Sequence, residues 1–152
     1  MIVASAGIGA LDILAAAALG DLDSVAVTVR KDPSAWYGTI AEQQVDLGTL
    51  RTLVTLVDGP MREGARAYPQ NVNIAAAVAL AGIGLDRTRL VVTADPTLRD
   101  HVGEIEATGW FGSFAVREAV VPTLENPKTG RLVALAVIKT LRHLTAPGVV
   151  GG

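Results

Sequence analysis

Apolar residues recur along this chain with two periods. Residues 9–19 (GALDILAAAAL) carry a helical pattern that Gly20 can close in a left-handed cap. Residues 23–30 (DSVAVTVR) alternate Val25, Val27 and Val29 with Ala26 and Thr28, the period of a half-buried strand, ended by Lys31-Asp32-Pro33. A weaker helical stretch spans 40–47. Residues 52–57 (TLVTLV) read as a strand stopped by Asp58-Gly59-Pro60, and Pro60 suits the first turn of a short helix reaching Tyr68. Residues 71–81 (NVNIAAAVALA) read as a buried helix of small side chains, with Asn71 as N-cap and Gly82 and Gly84 at its end. The second half turns to strands: 87–93 (RTRLVVT), then 104–107 and 113–120 paired around Gly109-Trp110-Phe111-Gly112. Asn126-Pro127 reads as a capped helix start leading into a long final helix over 131–144. Helices mixed with antiparallel-type strand pairs predict an α+β fold, a mixed β-sheet with helices on one face. No interior linker divides the chain, so 1–145 is expected to form a single domain and 146–152 a flexible tail.

Composition narrows the chemistry. The chain has 152 residues, 50% apolar and 18% charged, which argues against disorder. It has no cysteine, which excludes disulfides, thiolate metal sites and thiol nucleophiles, and only two histidines, which leaves no basis for a His-rich metal site. The net charge of −2 contains no basic run that could neutralise a nucleic-acid backbone. The longest uncharged apolar stretch after residue 20, 72–85, is shorter than the ~20 residues of a spanning helix, and the start lacks a basic leader region. A cytoplasmic protein with no membrane partner is expected. The high mean hydropathy, +0.41, with few aromatics, then points to close helix–sheet packing plus a buried homo-oligomer interface. The nearest approach to a dinucleotide-binding turn, Gly7-Ile8-Gly9-Ala10-Leu11-Asp12, lacks a full preceding strand and has Asp12 at the third glycine position.

Five segments, in order, resemble the C-terminal domain of L-aspartate dehydrogenase. They are Ser5-Ala6-Gly7-Ile8-Gly9-Ala10-Leu11-Asp12, Thr28-Val29-Arg30-Lys31-Asp32-Pro33, Tyr68-Pro69-Gln70-Asn71-Val72-Asn73-Ile74-Ala75, Thr93-Ala94-Asp95-Pro96 and Glu125-Asn126-Pro127-Lys128-Thr129. The resemblance implies a domain that carries the amino-acid site and a dimerising sheet, with NAD(P) bound by a separate N-terminal Rossmann domain. The chain starts where that second domain starts. No cofactor is therefore expected in this chain, and NAD(P) enters only if a separate Rossmann subunit exists. The resemblance also implies an Asn-x-His after Ala-Asp-Pro, with the histidine catalytic. Counted without a gap, the asparagine falls on His101 and the histidine on Gly103. A two-residue offset on a strand keeps the face but moves the side chain by ~6–7 Å. Two smaller departures are Asp32 within the Lys-Pro-Pro of that family and Ala6 for the glycine after its first serine.

The candidate site residues follow. His101, in a loop leading into a strand, is the candidate acid–base, since an imidazole titrates near neutral pH; the plain alternative is a surface histidine. Lys31 can pair with a substrate carboxylate or simply end its strand in water. Ser5 and Gly7 precede a helix N-terminus whose N–H groups suit a carboxylate. Asn71 and Asn73 flank a helix start, as cap or ligand contacts. Asp95 lines the site or forms a turn with Pro96. No metal is expected. Trp110 and Phe111 read as core or interface, and His143 as a cation at a helix C-terminus. The expected function is a repurposed, stand-alone domain that binds a small carboxylate- or amine-bearing metabolite, with cofactor-independent proton transfer, cyclisation or elimination as its chemistry. The alternatives are a subunit of a split L-aspartate dehydrogenase, against which Gly103 counts, and a non-catalytic binding or scaffold subunit.

Overall fold

The computed structural model describes residues 3–5, 7–126 and 128–149. The valine alternation after Gly20 forms the central strand β1 (Leu22–Lys31), preceded by helix α1 (Leu11–Ala17). Val25, Val27 and Val29 are buried on one face, while Ala26, Thr28 and Arg30 stand on the other. A 3-10 turn (Pro33–Trp36) and a short helix α2 (Ala41–Gln44) follow. Then come β2 (Val54–Pro60), α3 (Met61–Ala67), α4 (Asn73–Ala81) and β3 (Arg89–Ala94). The hairpin β4 (His101–Gly109) and β5 (Gly112–Val120) precedes the final helix α5 (Leu132–His143).

The five strands form one mixed sheet in the order β2-β3-β1-β4-β5. Only β1 and β3 run parallel, with Val27 beside Leu90 and Val29 beside Val92. A parallel neighbour requires a long crossover, and the segment from Asp32 to Thr88 supplies it, carrying β2 and three of the helices. The covered face of the sheet meets the helices through small residues. Gly82, at the end of α4, lies against Leu14 and Val25, and Gly64 of α3 lies against Leu90. Alanines at 75, 77 and 79 let α4 sit close to β1. The opposite face carries polar pairs, with Arg117 on Glu104 at 3.0 Å and Arg30 on Asp95 at 2.7 Å.

Three local expectations are corrected. Gly20 does not take a left-handed conformation; among the described residues the positive-φ glycines are Gly38, Gly84 and Gly112. Gly20 is instead packed beneath Trp110, whose indole occupies the space a Cβ would need. Asn71 is not the cap of α4: Val72 is, without a side-chain hydrogen bond, because the Asn71 amide is drawn into the core. Asn126 does not begin the final helix. Its side chain closes a tight loop, accepting from Lys128 N–H and donating to Thr129, and Pro122 bridges to Gly130 before α5 starts at Leu132. Pro127 and tail residues 150–152 lie outside the described residues. Among the described residues, no helix is long and apolar enough to cross a membrane.

The Gly64–Leu90 contact yields a test. Alanine favours a helix over glycine by about 1 kcal/mol, but its methyl would overlap the fully buried Leu90 side chain. Overpacking of this kind costs about 1–3 kcal/mol. Gly64→Ala should therefore lower stability in urea unfolding, whereas an unchanged or raised midpoint would show that the sheet yields there.

Candidate functional site

The apolar stripe of β1 ends in a charge. Lys31 follows Val25, Val27 and Val29 on the covered face and is itself buried, 5% exposed. It opens into a cavity of about 130 Å³. The cavity walls come from the turn at Gly7, the start of α4 at Asn73 and Ile74, the first residues of β4, and the end of β5. Lys128, Thr129 and Gly130 close it. Chain segments far apart in sequence meet here because β1, the strand bearing Lys31, pairs with β4, which in turn pairs with β5.

Lys31 Nζ donates to the carbonyls of Asn71 and Lys128, both at 3.3 Å, and stands 5.5 Å from the centre of the Trp36 ring. Among the described residues no carboxylate lies within ion-pair distance of it. Burial, and secondarily the positive Lys128, lower its pKa from 10.5 to about 8. Most of the population is still charged at neutral pH, and this ammonium has no counter-ion among the described residues. Asn71 is buried beside it: Nδ2 donates to Ala35 at 3.0 Å, and Oδ1 has no partner among the described residues.

His101 lies on the cavity wall, half-buried. It is the first residue of β4 rather than part of a loop, because it pairs with Val120 on β5. It shares the covered face with Gly103, whose ladder partner is Glu118. A Cβ on Gly103 would come within 3.1 Å of Ile8 and 3.4 Å of Ile74, so this corner is filled by two isoleucine side chains. Glu118 Oε1 accepts the Gly9 N–H at 2.6 Å. The following residue, Ala10, is left-handed at φ 59, a conformation that costs a non-glycine residue about 1–2 kcal/mol.

Of the residues picked out from sequence, Gly7, Lys31, Asn71, Asn73 and His101 line one cavity; Ser5 and Asp95 do not. Ser5 closes the turn through its carbonyl, which accepts from Ile8. Asp95 is turned to the opposite side of the sheet. It binds Thr97 and Arg30, each at 2.7 Å, and these two partners, in that order, hold its carboxyl below the usual range. Its role here is to lock the turn between β3 and β4. In the turn before α1 the Gly9 N–H donates to a carboxylate, and that carboxylate is the chain's own Glu118. Sequence reasoning missed Trp36, Lys128 and Glu118. The signal for Glu118 was present: with Phe114, Val116 and Val120 it shares the inward period of β5, where a charge is costly. Among the described residues no group of three or more His, Asp or Glu could hold a metal.

The family model described as "Aspartate dehydrogenase, C-terminal" matches residues 12–144. The chain belongs to this family. Its relatives include the L-aspartate dehydrogenases of Ralstonia pickettii, 45% identical over 137 residues (90% of this chain, 51% of that protein), and of Ruegeria pomeroyi, 47% over 141 residues (93% and 51%). That of Serratia proteamaculans is 37% identical over 150 residues, covering 99% of this chain and 57% of its own. The chain spans about half the length of the curated relatives it matches. The crystal structure of aspartate dehydrogenase from Thermotoga maritima superposes with a TM-score of 0.74 at 21% identity, covering 97% of this chain and 55% of that one. The aspartate dehydrogenase C-terminal fold thus accounts for all five strands.

The lowered Lys31 pKa makes a stability statement. Between about pH 8 and 10.5 the unfolded chain holds the Lys31 proton and the folded chain releases it. Stability therefore rises with pH through this window, and the burial penalty, up to about 3 kcal/mol, is fully present below pH 8. Lys31→Met should melt higher than the parent at pH 7, and the gap should narrow by pH 10. A variant that melts lower at pH 7 would mean the ammonium's contacts outweigh its desolvation.

Proposed function

We propose that this domain binds a small carboxylate-bearing metabolite at Lys31, with His101 placed to move a proton in the same cavity. The observation that carries the reading is the buried ammonium with carbonyl and ring contacts but no carboxylate partner among the described residues. Burying a charge without a counter-ion costs several kcal/mol, and a ligand carboxylate offsets that cost by supplying one. The cavity of about 130 Å³ suits a metabolite of few heavy atoms.

The resemblance puts a catalytic histidine at Gly103, and that corner is closed by Ile8 and Ile74. This supports a repurposed site whose chemistry, where it has any, is a cofactor-independent proton transfer, cyclisation or elimination served by His101. The turn at Gly7 is poorly suited to the diphosphate of NAD(P), because the Gly9 N–H is already engaged by the carboxylate of Glu118. A second reading is the substrate half of an L-aspartate dehydrogenase that works with a separate Rossmann chain. The 45% identity to a protein bearing that name supports it; Gly103 is what it must explain. A scaffold role is what remains if the cavity binds nothing. We also propose that a second copy of the chain covers α5, which leaves Leu135, Ile138, Leu141 and Leu144 exposed.

Titration calorimetry with succinate and L-aspartate tests the first reading. Binding of either should be measurable at millimolar concentration or below, and Lys31→Met should weaken it. The chain alone should not bind NAD(P). His101→Ala should weaken binding about tenfold or less, but should slow turnover of any compound transformed, followed by proton NMR, by about 10²–10⁴. Failure of both acids to bind would overturn the reading.

For the oligomer, light scattering at micromolar concentration should give at least twice the 15.7 kDa chain mass. A monomer there would refute it.

A further inference from the structure

The cavity contains one carboxylate that anion binding does not use. Glu118 is the only acidic side chain among the described residues that line it. It reaches inward from β5 directly opposite Gly103, which contributes no side chain to meet it. Its Oε1 is committed to the Gly9 N–H at 2.6 Å. A Cβ at residue 9 would lie 2.5 Å from that oxygen, so the glycine is what lets the turn close on the carboxylate. Its Oε2 is buried and has no hydrogen-bond partner among the described residues. Among the described residues no lysine or arginine is within ion-pair distance of it, Lys31 and Lys128 included, although both line the same cavity. A buried carboxylate oxygen without a donor is costly, and more so in a low-dielectric interior. The cavity thus presents an amine and a carboxyl group that do not pair with each other, one on β1 and one on β5.

We propose that Glu118 determines specificity in this cavity, its free Oε2 accepting from a protonated nitrogen of the ligand while Lys31 holds a carboxylate of the same molecule. The inference rests on the carboxylate-binding reading and adds which group on the ligand is selected, and by which residue. A ligand without the nitrogen leaves Oε2 unpaired and binds more weakly. A charge-assisted hydrogen bond of this kind corresponds to a preference of about tenfold or more.

Succinate and L-aspartate share a four-carbon skeleton and two carboxylates and differ by the amino group. By titration calorimetry, the unmodified chain should bind L-aspartate about tenfold or more tightly than succinate. Glu118→Gln retains an oxygen for the Gly9 N–H and should lose most of that preference while still binding succinate. Lys31→Met should weaken both acids. Equal affinities in the unmodified chain, or a preference that survives Glu118→Gln, overturn the role of Glu118 and leave the carboxylate-binding reading standing. Binding of neither acid overturns that reading and this inference with it. The ratio in the unmodified chain needs no variant. If Glu118→Gln does not fold, Glu118→Asp provides the second comparison, because its shorter side chain cannot reach both Gly9 and the ligand.

Discussion

The ammonium of Lys31 sits at the end of the stripe that Val25, Val27 and Val29 begin, and two backbone carbonyls from distant segments converge on it. Asn71 brings the start of α4 and Lys128 brings the loop before α5, so one side chain of β1 ties together three parts of the cavity wall. The cost is desolvation, visible in the pKa lowered to about 8. Groups shifted in this way cluster at functional sites. Trp36 answers part of the cost by placing its ring 5.5 Å from Nζ, and its own position is fixed by an edge-on contact with Tyr68.

A second constraint works through two glycines. Gly9 can approach the Glu118 carboxylate because it has no side chain, and Gly103 leaves its corner to Ile8 and Ile74. Glu118 and Gly103 are ladder partners, so a change at one is felt directly by the other. In the resemblance to aspartate dehydrogenases the proton-handling group belongs at 103. Here the titratable groups of the cavity stand to either side of it, His101 two residues earlier on the same strand and Glu118 across the ladder. The fold of the family is kept, and within it these two side chains flank Gly103.

The surface is divided in a comparable way. The sheet face away from the helices is dressed with ion pairs, Arg117 with Glu104 and Arg30 with Asp95. By contrast α5 buries only Ala136 and keeps its leucines, Leu132, Leu135 and Leu141, in contact with water. Contiguous exposed apolar patches mark contact surfaces. The relatives this chain matches are about twice as long, which leaves room in the family for a covering surface.

Much of the fold was legible in local pattern. Valine alternation marks β1, the alanine run marks α4, and the Gly109 to Gly112 segment marks the β4–β5 turn, because burial period and turn chemistry are properties of neighbouring residues. The presence of Lys31 at the end of an apolar stripe, and of Glu118 within one, was also written in the order of residues. What the order could not contain was the pairing of β1 with both β3 and β4, which is set by packing between segments tens of residues apart. That pairing decides that Asp95 faces Arg30 on one side of the sheet while Lys31 faces the cavity on the other. It also decides that Asn71 is drawn inward instead of capping α4, and that the turn at Gly9 meets a carboxylate 109 positions away. Side-chain charge and period are local quantities; which charges share a cavity is settled only when the sheet closes.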